Sequence, residues 1–194
     1  MASSLAVYAV QSHPTRRKWL LRLAGLCLAC AWAVAADSGP VAGEYQVKAT
    51  FLYNFTKFTD WPPRVFASSN APIVIGIVGE DPFGKTIDEV VSGEVVGGHP
   101  LVVKRLHADD DLRSCHILFI SRSEKERLPA MLSRLKGSPV LSVGEINGFA
   151  EQGGMVNLLL ANKTVKIEIN QAAAEQAGLQ ISAKLLKLAR LVKS

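Results

Sequence analysis

Two short apolar runs constrain this chain more than any other feature: IVIGIV, Ile73 to Val78, and CHILFI, Cys115 to Ile120. Both are rich in branched and aromatic residues, and both read as strands covered on their two faces. Strands of that kind belong to parallel sheets, which need helical crossovers. The segments between them supply these. Thr86 to Val91 reads as a short helix, and Leu101 to Leu106 as a further strand. Glu124 to Lys136 reads as a longer helix closed by Gly137. Val140 to Val143 is a short strand. Met155 to Leu160 and Val165 to Ile169 flank the turn Asn162-Lys163 as a hairpin. Helical stretches are expected from Gln171 to Ala177 and from Ser182 to Val192. An opening helix is expected from Glu44 to Phe58, with Val47, Phe51, Phe55 and Phe58 on one stripe, ended by Trp61-Pro62-Pro63. The pattern predicts one α/β domain: a mixed, largely parallel sheet with helices on both faces and a late β-hairpin.

The N-terminus has a different character. Arg16, Arg17 and Lys18 precede an apolar stretch from Trp19 to Val34, and Ala33-Val34-Ala35 is a small-residue cleavage site. Residues 1–36 are therefore expected to be a cleaved signal peptide, 37–43 a linker and 44–194 the folded domain. The motif TRRKWLL leaves general and twin-arginine export both open. Export changes the charge argument. The full chain has 22 Lys+Arg against 17 Asp+Glu. The leader removes Arg16, Arg17, Lys18 and Arg22, so 18 basic residues face 17 acidic ones. The basic balance is thus a targeting signal and not a nucleic-acid footprint. Of the three cysteines only Cys115 stays in the exported part, where it reads as a small buried hydrophobe.

The stretch GEDPFGKT, Gly79 to Thr86, fits the phosphate-loop pattern letter for letter. Its chemistry argues against nucleotide binding. Pro82 has no N–H to give, and Glu80 and Asp81 place two carboxylates where phosphate charge would sit, each costing about 4 kcal/mol at 4 Å and surface-like screening. CHILFIS also lacks a magnesium-binding aspartate at the end of the neighbouring strand. The stretch is read as a turn between strand and helix, with Phe83 folded back on the core, and no cofactor is expected.

The same stretch carries a second resemblance. Gly79-Glu-Asp-Pro-Phe-Gly84 after a buried strand resembles the YfiR-like family of small periplasmic proteins. Tyr45-Gln-Val-Lys48 through Phe51-Leu-Tyr-Asn54-Phe55 to Trp61-Pro62 is similar to its opening helix, and Cys115-His116-Ile-Leu-Phe-Ile120 to its central strand. Val140 to Val143, Gly148-Phe149, Gly153-Gly154-Met155-Val156-Asn157, Ile167 to Asn170 and Ala177-Gly178-Leu179 follow its second half in order. The likeness spans about 45 to 192. It implies a periplasmic repressor that binds the periplasmic domain of an inner-membrane diguanylate cyclase, lowering cyclic di-GMP and biofilm formation. It further implies an outer-membrane lipoprotein that pulls the repressor away, and small ligands; a homodimer stays open. Relatives use a disulfide from the cysteine of the CHILF strand, for which Cys115 has no mature partner here.

Site candidates follow from position. Seven aromatics crowd Tyr45 to Phe66. Most would anchor the first helix, while Tyr53, Trp61 and Phe66 are candidates for partner binding. Ligands in open α/β sheets settle beyond the carboxyl ends of the strands, which points to Glu80, Asp81 and Arg122. Lys166, Glu168 and Asn170 alternate along one strand as a polar strip for a ligand, or as the charges of a protected edge. No catalytic pair or metal spacing emerges: Cys115 and His116 point to opposite faces of a strand, and His99 and His107 stand apart. Lys184, Lys187, Arg190 and Lys193 recur at three-residue steps on the expected last helix, which suits a helix C-terminus or an anionic membrane surface.

Overall fold

A computed structural model describes residues 40–193; the expected signal peptide and residues 37–39 of the linker lie outside them. The first helix, α1, runs Pro40–Phe58. It starts ahead of the expected Glu44, since a proline needs no N–H partner in a first turn. Strand β1 is Thr59–Asp60, followed by β2, Ile73–Val78, and the helix α2, Thr86–Val91. A short β3, Val95–Val96, turns into β4, His99–Leu106; then come β5, Ile117–Ile120, the helix α3, Leu128–Leu135, and β6, Leu141–Gly144. The hairpin is β7, Val156–Ala161, with β8, Thr164–Ile169. The chain closes with α4, Gln171–Gln176, β9, Gln180–Ile181, α5, Ala183–Leu186, and β10, Arg190–Leu191.

Eight strands form one sheet in the order β10-β8-β7-β6-β5-β2-β4-β3. Only β3–β4 and β7–β8 are antiparallel; the other pairings are parallel. The expected mixed, largely parallel α/β sheet is therefore present. The alternation of each central strand feeds two cores. Ile73, Ile75, Ile77, Ile117 and Phe119 face Leu52, Phe55, Ile87 and Leu185 on the side of α1, α2 and α5. Val74, Val78, Leu118 and Ile120 face Leu128, Met131 and Leu135 of α3 on the other side. Asn162 and Lys163 adopt positive φ values of 51° and 61°, the mirror-image turn that a two-residue hairpin requires.

Three expectations are corrected. The helix expected over Glu124 to Lys136 is a 3-10 segment, Arg122–Arg127, followed by α3. Pro129 lacks the N–H that would carry an α ladder back through that junction. The helix expected from Ser182 to Val192 is the single turn α5, capped by the Ser182 side chain, after which Arg190 and Leu191 join the sheet beside Glu168 and Ile169. The Lys/Arg series therefore does not form one helical stripe. On α1, finally, Val47 is 44% exposed and Lys48 is fully buried; the inward face runs through Lys48, Ala49, Leu52, Phe55 and Thr56.

Candidate functional site

The order of strands creates a crevice. The segment leaving β2 leads to α2 on one face, and the segment leaving β5 leads to α3 on the other, so the two exits diverge. Such a divergence is where open α/β sheets hold ligands. Here it forms a cavity of about 190 Å³ lined by Tyr45, Glu80, Asp81, Ser121, Arg122 and Glu145, among others. Three of the six expected ligand residues, Glu80, Asp81 and Arg122, thus come together. The Arg122 side chain is exposed and has no ion-pair partner among the described residues. The phosphate-loop lookalike is closed on itself: Asp81 Oδ1 accepts from the backbone N–H groups of Phe83 (2.8 Å) and Gly84 (3.2 Å). Those are donors a phosphate would need. Arg105 then clamps Asp81 and Asp88 and also bonds the Gly84 carbonyl.

Beneath the crevice lies a charge cluster that the sequence reading did not single out. Lys48 Nζ sits 2.6 Å from Glu145 Oε2 and 2.5 Å from Glu44 Oε1, with its side chain fully shielded from solvent. Tyr45 donates its hydroxyl to Glu145 Oε2 at 3.1 Å, and the Arg122 backbone N–H reaches Glu145 Oε1 at 3.4 Å. Burial, reinforced by the Glu145 charge, pushes the Tyr45 phenol up to about 12. Glu44 and Lys48 stand at an i, i+4 spacing that a sequence can show. Glu145 lies 97 positions away from Lys48, and nothing local signals it.

The expected partner anchors are half-buried and internally bonded. Tyr53 donates its hydroxyl to Glu94, and Lys57 Nζ lies 4.0 Å above its ring. Trp61 Nε1 donates to the His116 carbonyl at 3.2 Å. The Phe66 ring is stacked between two imidazoles, its centroid 4.0 Å from that of His99 and 4.8 Å from that of His116. Trp61 and Phe66 thus meet at His116, at the amino ends of β4 and β5, opposite the crevice. Val74 N–H donates to His116 Nδ1 at 3.1 Å, while His116 Nε2 is buried with no partner. Burial, and after it the nearby His99, pulls the His116 imidazole below its ordinary value.

The strip on β8 divides. Asn170 is fully buried; it caps α4 by accepting from Ala173 N–H and donates to the Ala150 carbonyl at 2.9 Å. Glu168 is buried, accepts from Asn157 Nδ2 at 3.2 Å and is held by Arg190. Lys166 is exposed. It lines an open groove of about 500 Å³ together with Phe51, Leu159, Val165, Ile167 and Leu188.

The model of the YfiR/HmsC-like family matches residues 45–190. The chain belongs to that family. No curated protein matches it. Among solved structures it is similar to a conserved domain protein from Vibrio cholerae O1 biovar El Tor strain N16961. The two share 12% identity over 77% of this chain and 60% of that one, with a TM-score of 0.53. It is also similar to an ABC domain from Streptococcus pneumonia solved in complex with L-Trp, at 14% identity, the same coverage and a TM-score of 0.50. The chain thus spans 60% of the length of each, and at these identities the likeness is one of fold.

Two motifs that carried the resemblance have a structural cause in this YfiR/HmsC-like chain. Phe149 is fully buried with glycines on both sides of its ring. A Cβ on Gly154 would lie 2.1 Å from the ring, and one on Gly144 would lie 2.4 Å from it. Likewise a Cβ on Gly76 would meet Cys115 Sγ at 2.5 Å. Cys115 is a free, buried thiol whose pKa burial raises.

Proposed function

We propose that this chain is a periplasmic regulatory protein, not an enzyme. It binds the periplasmic sensor region of an inner-membrane diguanylate cyclase and holds cyclic di-GMP output and biofilm formation low. Membership of the YfiR/HmsC-like family is consistent with a periplasmic regulator, and among the described residues no helix is long and apolar enough to cross a membrane. The observation that carries the reading is the apolar surface around β8. Leu160 is 49% exposed, Leu188 77% and Leu191 56%; Leu188 lines the open groove, Leu160 stands opposite Val165 on β7 and Leu191 follows Arg190 on β10. Surfaces of this kind, rimmed by charge, mark protein contacts. Repression then follows from differential affinity for one state of the cyclase, since a partner shifts an equilibrium only by that difference. An outer-membrane lipoprotein that competes for this chain would relieve it.

The test is cellular cyclic di-GMP with and without the gene, followed by Leu188→Asp. A rise on deletion that needs an inner-membrane cyclase, reproduced by Leu188→Asp at normal protein levels, supports the regulator. No change on deletion, with the protein folded and exported, sinks it. A second reading, binding of a small molecule in the crevice, is favoured by the exposed Arg122 guanidinium, which has no ion-pair partner among the described residues; Arg122→Ala would abolish such binding without altering the fold.

A further inference from the structure

We propose that the cyclase-type partner is held by strand addition: an extended, acidic segment pairs with the free outer edge of β8 and lays its apolar side chains in the adjoining groove. This rests on the regulator reading above and specifies its chemistry. The hairpin register decides which backbone groups are free. A two-residue turn makes Ala161 and Thr164 a hydrogen-bonded pair, so Thr164, Lys166 and Glu168 turn their backbone groups toward β7. Those of Val165, Ile167 and Ile169 turn outward. On that side β10 pairs only with Glu168 and Ile169, and Val192 N–H closes on the Ile169 carbonyl at 2.9 Å. The Val165 N–H and C=O and the Ile167 N–H lie ahead of that pairing, so among the described residues the sheet stops half-way along β8.

The groove runs over the same edge. Val165 and Ile167 reach it from one face of the sheet, Leu159 and Lys166 from the other. An added strand, whose side chains also alternate, would lay its apolar residues on the Val165 and Ile167 face and turn its acidic ones to the Lys166 face. Charge selects the occupant. Lys166 lines the groove, Lys163 stands in the turn that leads into β8 and Lys187 precedes the lining residue Leu188; all three are exposed and without ion-pair partners among the described residues. The one carboxylate among the groove's lining residues, Glu168, is already held by Arg190. A second copy paired edge to edge would bring these lysines against their own equivalents, whereas an acidic segment meets complementary charge.

The test uses the protein as recovered after export and an eight-residue peptide in which aspartate or glutamate alternates with valine, against a peptide carrying lysine in place of each acid. The expected result is saturable binding of the acidic peptide at least tenfold tighter than the basic one, with amide exchange at Val165 and Ile167 slowed at least tenfold. Lys166→Glu should weaken binding at least tenfold. So should Val165→Pro, which removes an outward N–H and leaves the ladder to β7 intact; both variants are checked for an unchanged circular dichroism spectrum. No saturable binding, or binding without protection of those two amides, overturns the proposal. So does a dimer in sedimentation that protects the same amides without peptide, or binding of phosphatidylglycerol vesicles in place of peptide. Repression is read separately from cyclic di-GMP, so any of these outcomes removes strand addition while the regulator stands or falls on its own measurement.

Discussion

Replacing Lys48 by methionine withdraws the one cation from a buried group of carboxylates. Lys48 Nζ lies 2.6 Å from Glu145 Oε2, with the lysine side chain fully shielded and that of Glu145 2% exposed. At an effective dielectric of 20, that contact alone is worth about 6 kcal/mol of attraction before desolvation is subtracted. Glu44, at 10% exposure, can turn to water; Glu145 cannot, and it keeps only the Tyr45 hydroxyl and the Arg122 N–H. Breaking a buried pair from one side costs about 3–5 kcal/mol, against a total stability of about 5–15 kcal/mol. For a domain of this size that corresponds to a fall in Tm of about 6–20 °C. The double variant Lys48→Met with Glu145→Gln removes the stranded charge and should recover at least half of the loss. Urea unfolding of the four proteins in the cycle gives the coupling directly. A single variant within 1 kcal/mol of the parent would refute the reasoning, because the pair would then be hydrated. A double variant no more stable than the single would assign the loss to the lysine methylenes rather than to charge.

Gly154→Ala drives a Cβ into the Phe149 ring and should cost about 1–3 kcal/mol by overpacking; an unchanged thermal midpoint would show that the ring moves aside freely. Trp61→Ala removes a half-buried ring that bonds the His116 carbonyl, with an expected loss of about 2 kcal/mol, below the range for fully buried aromatics, read by denaturant titration. His116 gives a pH signature. Its imidazole lies below the ordinary value of 6.5 because burial disfavours the cation, so below that pH the unfolded chain binds the proton first. Stability should be level above about pH 6.5 and fall as the pH drops, and His116→Asn, which can still accept from Val74 N–H, should flatten the slope. An unchanged slope in that variant would place the titration elsewhere.

The central strands were legible because a strand buried on both faces must be apolar at every position, as IVIGIV is. The hairpin was legible because a two-residue turn demands positive φ, which Asn162 supplies readily. That Glu80, Asp81 and Arg122 would lie close together was legible because each follows the carboxyl end of a buried strand. The inward face of α1 was not. Val47 looks like a core residue and Lys48 like a solvent residue until Glu145 arrives from the other end of the domain. The last helix misled for a related reason: its periodicity is real, but Arg190 gains a carboxylate on β8 and its neighbour gains a ladder, and both require β8 to be in place.

The sequence by itself therefore determined the class of fold, the order of most elements, the turn chemistry and the family. These depend on periodicity, branching and local backbone geometry, all carried by near neighbours in the chain. Only the tertiary structure decided which charges are buried, which aromatics are tied down and where the sheet edge is left open. Each of these is set by groups distant in sequence that must meet before the burial of either has meaning. The edge of β8 shows this most plainly. Its residues are a hairpin strand in any reading, but the outward groups of Val165 and Ile167 are left unpaired among the described residues because β10, arriving from the end of the domain, begins only at Arg190, opposite Glu168.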